Sequence, residues 1–153
     1  MDPTFWLTVL LRWLHVAAAV AGVGGTILMR FAVLPALAGR PDGAEILAAI
    51  RAPFKKIFHT VMGLLLLTGF YNYLAVAAPR AKELREGGNQ ALAAYHPVMG
   101  TKILLSLVLF GIGIALLKPV PSVHENRKTW LSVNVVLGLL ILLLAAFLRR
   151  LWP

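Results

Sequence analysis

Four long apolar stretches separated by short polar segments set the pattern of the chain. They run from Phe5 to Leu37, Phe54 to Ala78, Pro97 to Leu117 and Trp130 to Leu148. Each is long enough to cross a hydrocarbon core, which takes about 20 residues of helix. The pattern predicts an all-α fold: an integral membrane four-helix transmembrane bundle, one domain over residues 1–153. The first stretch is expected to stay in the protein, because it is too long for a cleaved signal peptide and its arginines bracket it. "LAGRPDGAE" reads as a polar turn, with helix 2 starting before Pro53 or restarting there and running on to Pro79. "PRAKELREGGNQALAAY" is the longest predicted loop, with a short surface helix inside it. Pro97 suits the first turn of helix 3, where a missing N–H costs nothing.

Composition supports this pattern. Of 153 residues, 59% are hydrophobic and only 14% charged, against roughly a half and a quarter in soluble domains. The formal charge is +9. That figure alone would suit a nucleic-acid partner, but the cations sit at the ends of apolar segments, where Lys and Arg snorkel or anchor to headgroups. The expected partner is the lipid bilayer, with no nucleic acid. The absence of cysteine excludes disulfides, thiolate metal sites and cysteine nucleophiles.

Four spans place both termini on one face of the membrane, here side A. The turn after helix 1 and the loop after helix 3 lie on side B. Arg30, Arg40, Arg51, Lys55, Lys56, Lys118, Arg127 and Lys128 fall to side B. Side A has Arg80, Lys82, Arg85, Arg149 and Arg150, with Arg12 and Lys102 just inside. The positive-inside rule then makes side B cytoplasmic and puts the termini on the non-cytoplasmic side.

Polar residues inside a span are costly and mark a partner, a cavity or a ligand. Toward side A the pattern gathers His15, Tyr71, Asn72, Tyr73, Tyr95, His96 and Lys102; toward side B, Arg30, His59, Ser132 and Asn134. His15 and His59 lie at opposite depths, so one metal cannot be clasped by both. His15, Ala18 or Ala19, Gly22, Thr26, and Met29 or Arg30 recur at helical spacing, with a groove of small residues below the histidine. Such a groove serves close helix packing, or it leaves room for a flat ligand such as a porphyrin with an imidazole for its iron. His15 and His96 are the candidate axial pair for haem b, with Lys102 as neighbour or alternative ligand and Tyr95 and Tyr71 nearby. His59, with Arg30 to meet a propionate, is a candidate second site. His124 reads as a solvated loop residue, and Tyr71 and Tyr73 also suit an interfacial belt.

Copper would use the same three ligands, His15, His59 and His96. Cu(I) favours thiolate and thioether, yet the four methionines (Met1, Met29, Met62, Met99) form no cluster. Hydrolytic triads and nucleotide loops find no support: no acidic residue lies within a span, and "GVGG" follows no strand.

Three segments, "LLRWLHVAAAVAGVGGTILMRFAVLPAL", "HTVMGLLLLTGFYNY" and "YHPVMGTKILLSLVLF", carry the motifs R-W-L-H, G-G-x-x-x-x-R, L-x-G-x-Y-N and Y-x6-K. In that order they resemble the CopD-type domain, the membrane part of copper-resistance D proteins. The four-helix HemJ-type protoporphyrinogen oxidases are similar, with a histidine in helix 1 and a lysine early in helix 3. The resemblance implies functional roles for His15 and Lys102, haem b as cofactor and a bacterial inner membrane.

The expectation is therefore a membrane b-type haem protein in electron transfer, linked to a quinone, a porphyrinogen or a redox partner protein. Whether it is a haem-dependent oxidoreductase stays open. The alternatives are CopD-like copper handling and a non-catalytic subunit, in a homo-oligomer or a larger membrane complex.

Overall fold

The computed structural model describes residues 3–88, 94–118 and 125–151. Among them are four long helices and no strand. They are α1 (Thr4–Leu37), α2 (Gly43–Glu86), α3 (Tyr95–Leu117) and α4 (Arg127–Arg150), each long and apolar enough to cross a membrane. The chain is an integral membrane four-helix bundle. Its outward surface is apolar: Leu67, Val20, Leu143, Val136 and Trp13 are each more than 60% exposed. A soluble protein rarely leaves contiguous apolar surface of this kind in water, whereas lipid solvates it. Helices suit that setting because they satisfy their backbone groups internally.

Two helix pairs build the bundle. α1 packs along α2 and α3 along α4, and α1 also meets α4. Glycines mark the close approaches. A Cβ at Gly22 of α1 would lie 3.1 Å from Val61 of α2. One at Gly138 of α4 would lie 3.0 Å from Val23 of α1, and one at Gly113 of α3 would run into the Phe58 ring of α2. Much of the small-residue groove predicted along α1 is thus filled: Ala18 and Thr26 are buried, and Val61 and Phe54 of α2 sit against Gly22 and Gly25.

Helix α2 extends beyond its apolar stretch at both ends. It begins at Gly43, before Pro53 as one of the two expected starts had it, passes through Pro53, and continues to Glu86 across the first part of the predicted loop, where a short helix was expected. Hydropathy marks only the stretch that lipid covers. Polar flanks such as "GAEILAAIR" and "RAKELRE" extend the same backbone hydrogen bonding into water or headgroups. At 44 residues and about 1.5 Å per residue, α2 is about 66 Å long, roughly twice the hydrocarbon thickness of about 30 Å.

Two π-helical turns interrupt the regular helices, at Met29–Val33 in α1 and Asn72–Ala77 in α2. Each ends two residues before a proline. Leu34 N–H donates to Met29 O and Ala78 N–H to Tyr73 O, and Pro35 and Pro79 come next. A helical proline lacks a donor and its ring collides with the carbonyl four residues back. One extra residue in the turn relieves that collision while the helix continues. In the α1–α2 turn, Gly39 has φ +78°, and a Cβ at Gly43 would strike the Leu37 carbonyl oxygen. Glycine is required at both positions.

Candidate functional site

Two side chains from two helices meet in the side A half of the bundle, with a third from another helix within electrostatic reach. His15 comes from α1, Thr68 from α2 and Lys102 from α3. His15 Nδ1 lies 2.8 Å from Thr68 Oγ1. The Thr68 hydroxyl donates its single proton to the Leu64 carbonyl oxygen of its own helix. Its oxygen can therefore only accept from the ring, so Nδ1 carries the proton. In a neutral imidazole the other nitrogen, Nε2, is then an acceptor, and the ring also has a hydrogen bond with the Leu65 backbone. Gly69 makes room for the ring: a Cβ there would lie 3.2 Å from His15 Cε1. The Lys102 ammonium lies within electrostatic reach of the imidazole.

Helical register explains why Thr68 is the partner. α1 and α2 run antiparallel, and Gly22 sits against Val61. Seven residues back from Gly22 is His15, and seven on from Val61 is Thr68. Seven residues is about two turns, which returns each helix to nearly the same face. Fixing one contact therefore fixes the other. Thr68 was not among the residues singled out from the sequence. The signal available was a lone hydroxyl in the apolar run "LLLLTGF". It becomes informative only once the register is known.

His96 belongs to a different cluster. It is exposed, with Nδ1 3.3 Å from Tyr73 Oη and its ring edge-to-face with Tyr73 and Tyr95 at centroid distances of 6.5 and 5.6 Å. Tyr95 is 3% exposed and sits in a small apolar core with Ala81 and Leu148 that joins α2, α3 and α4. No described contact joins His96 to His15. The two imidazoles take partners five residues apart on α2, at Tyr73 and Thr68, about 140° apart around a regular helix at about 100° per residue. Lys102 thus lies within electrostatic reach of His15, while His96 sits at the rim. Tyr71 is half-buried without a described bond to either group.

On side B the polar residues are tied to the backbone. Arg30 Nε donates to Ser132 Oγ at 2.8 Å and to the Lys128 carbonyl oxygen at 3.2 Å, clamping α1 to α4. Its guanidinium also lies 5.1 Å from the Phe31 ring centroid. His59 is exposed and donates from Nδ1 to the Lys55 carbonyl oxygen of its own helix at 2.7 Å. Arg30 and His59 thus have separate partners. Asn134, buried in α4, donates to the Leu109 carbonyl oxygen of α3 at 3.0 Å. His124 lies outside the described residues.

Among the described residues no three His, Cys, Asp or Glu side chains gather as a metal site would require. Comparison with protein families, curated proteins and solved structures gives no match to this chain.

Proposed function

We propose that this protein is a membrane-embedded b-type haem protein acting in one-electron transfer, with His15 as an axial ligand. The observation that carries the reading is the commitment of His15 Nδ1 to Thr68. Metal-bound histidines characteristically donate their second ring N–H to a fixed acceptor, which sets tautomer and ring orientation. The donor set suits haem iron, for which a single protein imidazole on one face is a common arrangement.

The contacts between α2 and α3 bracket the level of His15. These helices touch through Phe58 and Gly113 toward side B and through the core around Tyr95 toward side A. His15 and Lys102 lie between those two contacts. When bound, haem b supplies a reversible one-electron couple. Thr68 and Gly69 hold the His15 ring in one orientation, and the lipid-facing surface keeps bulk water from the site. Lys102 offers an ammonium for a propionate or, once deprotonated, an amine as second ligand. His96, paired with Tyr73 at the rim, suits proton exchange with a quinone or redox partner at side A. The cations on side B suit a cytoplasmic location for that side.

The decisive experiment is the absorption spectrum of detergent-purified protein expressed with ample haem, oxidised and then dithionite-reduced. Sharp α and β bands on reduction, with a Soret shift lost in His15→Ala, support the reading. A featureless spectrum overturns it. A second reading, a non-catalytic subunit of a larger membrane assembly, is favoured by the filling of Gly22, Gly113 and Gly138 by facing side chains. It would then take precedence, and co-purifying partners would test it.

A further inference from the structure

The outward face of α2 carries three polar side chains near its side B end, Lys55, Lys56 and His59, and all three are exposed. Spacings of four and three residues put His59 on the same face as both lysines, one turn further along. Among the described residues no carboxylate pairs with either lysine. Asp42 is taken by Arg40, Glu45 lies ten residues before Lys55, and Glu125 lines a cleft beside the α1–α2 turn. The neighbouring helices add no anion. Their titratable groups toward side B are Arg30 of α1, Lys118 at the end of α3, and Arg127 and Lys128 of α4, all cations; the rest lie toward side A.

The His59 tautomer is set by its own helix. Nδ1 donates to the Lys55 carbonyl oxygen at 2.7 Å, so Nε2 is the nitrogen left for a ligand. Lys55 and Lys56 stand where the apolar stretch begins, and further along the same face Leu67 is 74% exposed. His59 lies four residues, about 6 Å, deeper than Lys55. The lysines are therefore at the level of lipid phosphates, and His59 at the level of the ester groups beneath them. Phosphate and ester oxygens only accept hydrogen bonds. A neutral ring offers them a lone pair at Nε2, whereas an imidazolium offers an N–H. Between His59 and Leu67 there is room for an acyl chain, because a Cβ at Gly63 would meet nothing within 4 Å.

We propose that Lys55, Lys56 and His59 form a proton-coupled binding site for an acidic phospholipid. The two ammoniums meet its phosphate. His59 takes up a proton from water at Nε2 and donates it in a hydrogen bond to a phosphate or ester oxygen. An acyl chain passes over Gly63. Binding therefore tightens as pH falls, whereas the lysines alone would give a preference independent of pH. Phosphatidylcholine has the same oxygens, but its quaternary ammonium cancels the charge that the lysines attract, so the acidic lipid is preferred. The site is independent of His15 and of haem.

The test is electron paramagnetic resonance of the full chain in phosphatidylcholine vesicles, with spin-labelled phosphatidylglycerol or phosphatidylcholine as the probe. Spectra are compared at about pH 5.5 and about pH 8, the range over which imidazoles as a class change charge, at constant ionic strength. The phosphodiester stays ionised throughout. Phosphatidylglycerol should be held preferentially by on the order of tenfold at the lower pH, and severalfold less strongly at the higher. Lys55→Gln/Lys56→Gln should lose the preference, and His59→Gln should keep it without its pH dependence. Lys128→Gln, which removes an exposed cation from the same end, should change neither. Equal association of the two lipids, or a preference that survives in the double lysine variant, would overturn the proposal. A pH dependence that persists in His59→Gln would overturn the role of the imidazole. Inorganic phosphate that displaces the lipid would make the site one for a soluble anion and overturn the lipid assignment. Should a variant fail to fold, the wild-type comparison of the two lipids at the two pH values still decides it.

Discussion

The two ends of the bundle place their histidines differently. Toward side B, Arg30 spends its Nε–H on Ser132 and the Lys128 carbonyl, and His59 spends its Nδ1–H on its own helix. Arg30 fastens two helices together, and His59 sits at an exposed surface. Toward side A, Thr68 accepts from one nitrogen of the half-buried His15 and so ties α1 to α2. A polar group inside a membrane protein must be satisfied, but one fixed at a single atom keeps a second for a ligand. His59 and His96 are likewise held at Nδ1, but both are exposed, and among the described histidines His15 is the half-buried one.

The sharpest way to break this contrast is to remove each group in turn. His15→Ala should abolish the Soret band, whereas Arg30→Ala should keep it and lower only thermal stability. A band lost in Arg30→Ala and retained in His15→Ala would reverse the assignment of the two ends. Next in size is Thr68→Val, which removes the ring's acceptor without changing its shape. Loss of such a supporting bond typically weakens a metal site by about 10- to 100-fold. Haem titration should show that weakening together with a shifted reduction potential, and Thr68→Ser should restore both. Unchanged affinity and potential in Thr68→Val would leave Thr68 a packing residue.

Two further substitutions probe packing away from the site. Gly113→Leu drives a side chain into Phe58, and overpacking of this kind costs about 1–3 kcal/mol. A lower unfolding midpoint in detergent with an intact reduced spectrum is expected, because the contact lies toward side B. Asn134→Leu removes the bond to the Leu109 carbonyl, and interhelical bonds in membranes average about 0.6 kcal/mol. Its effect on the midpoint should therefore be smaller than that of Gly113→Leu.

The smallest expected effect lies in the α1–α2 turn, outside the spans. Arg40 donates to both carboxylate oxygens of Asp42, at 2.9 and 2.8 Å. These bonds hold the Asp42 carboxyl below its usual range. A lowered carboxylate stabilises the fold above its unfolded-state pKa, and the contribution fades as pH falls through the lowered value. Both side chains are solvent-exposed, so the pair is worth little. Acidification should lower the unfolding midpoint slightly more in the wild type than in Asp42→Asn. An identical acid response in both would show that the pair has no measurable role.

Much of the architecture was legible in the residues, because crossing lipid demands a long apolar helix and little else resembles one. The four stretches from Phe5, Phe54, Pro97 and Trp130 reappear as α1 to α4. Their polar extensions were harder to read. Nothing in "GAEILAAIR" distinguishes a helix that continues into headgroups from a loop, and Pro53 looks like a break although the helix passes through it. His15, His96 and Lys102 could likewise be placed toward one end by counting residues, but depth does not say which side chains touch.

Hydropathy thus determined the membrane setting, the number of spans and the approximate depth of each polar residue, since transfer into lipid depends on composition along the axis. Tertiary structure decided the partners. The Gly22–Val61 contact brings Thr68 to His15, and the turn of α2 that carries Tyr73 takes His96 to the rim. These pairings depend on how each helix is rotated and slid against its neighbours. Lipid is indifferent to that rotation wherever the surface is uniformly apolar, so the contacts between facing side chains select it.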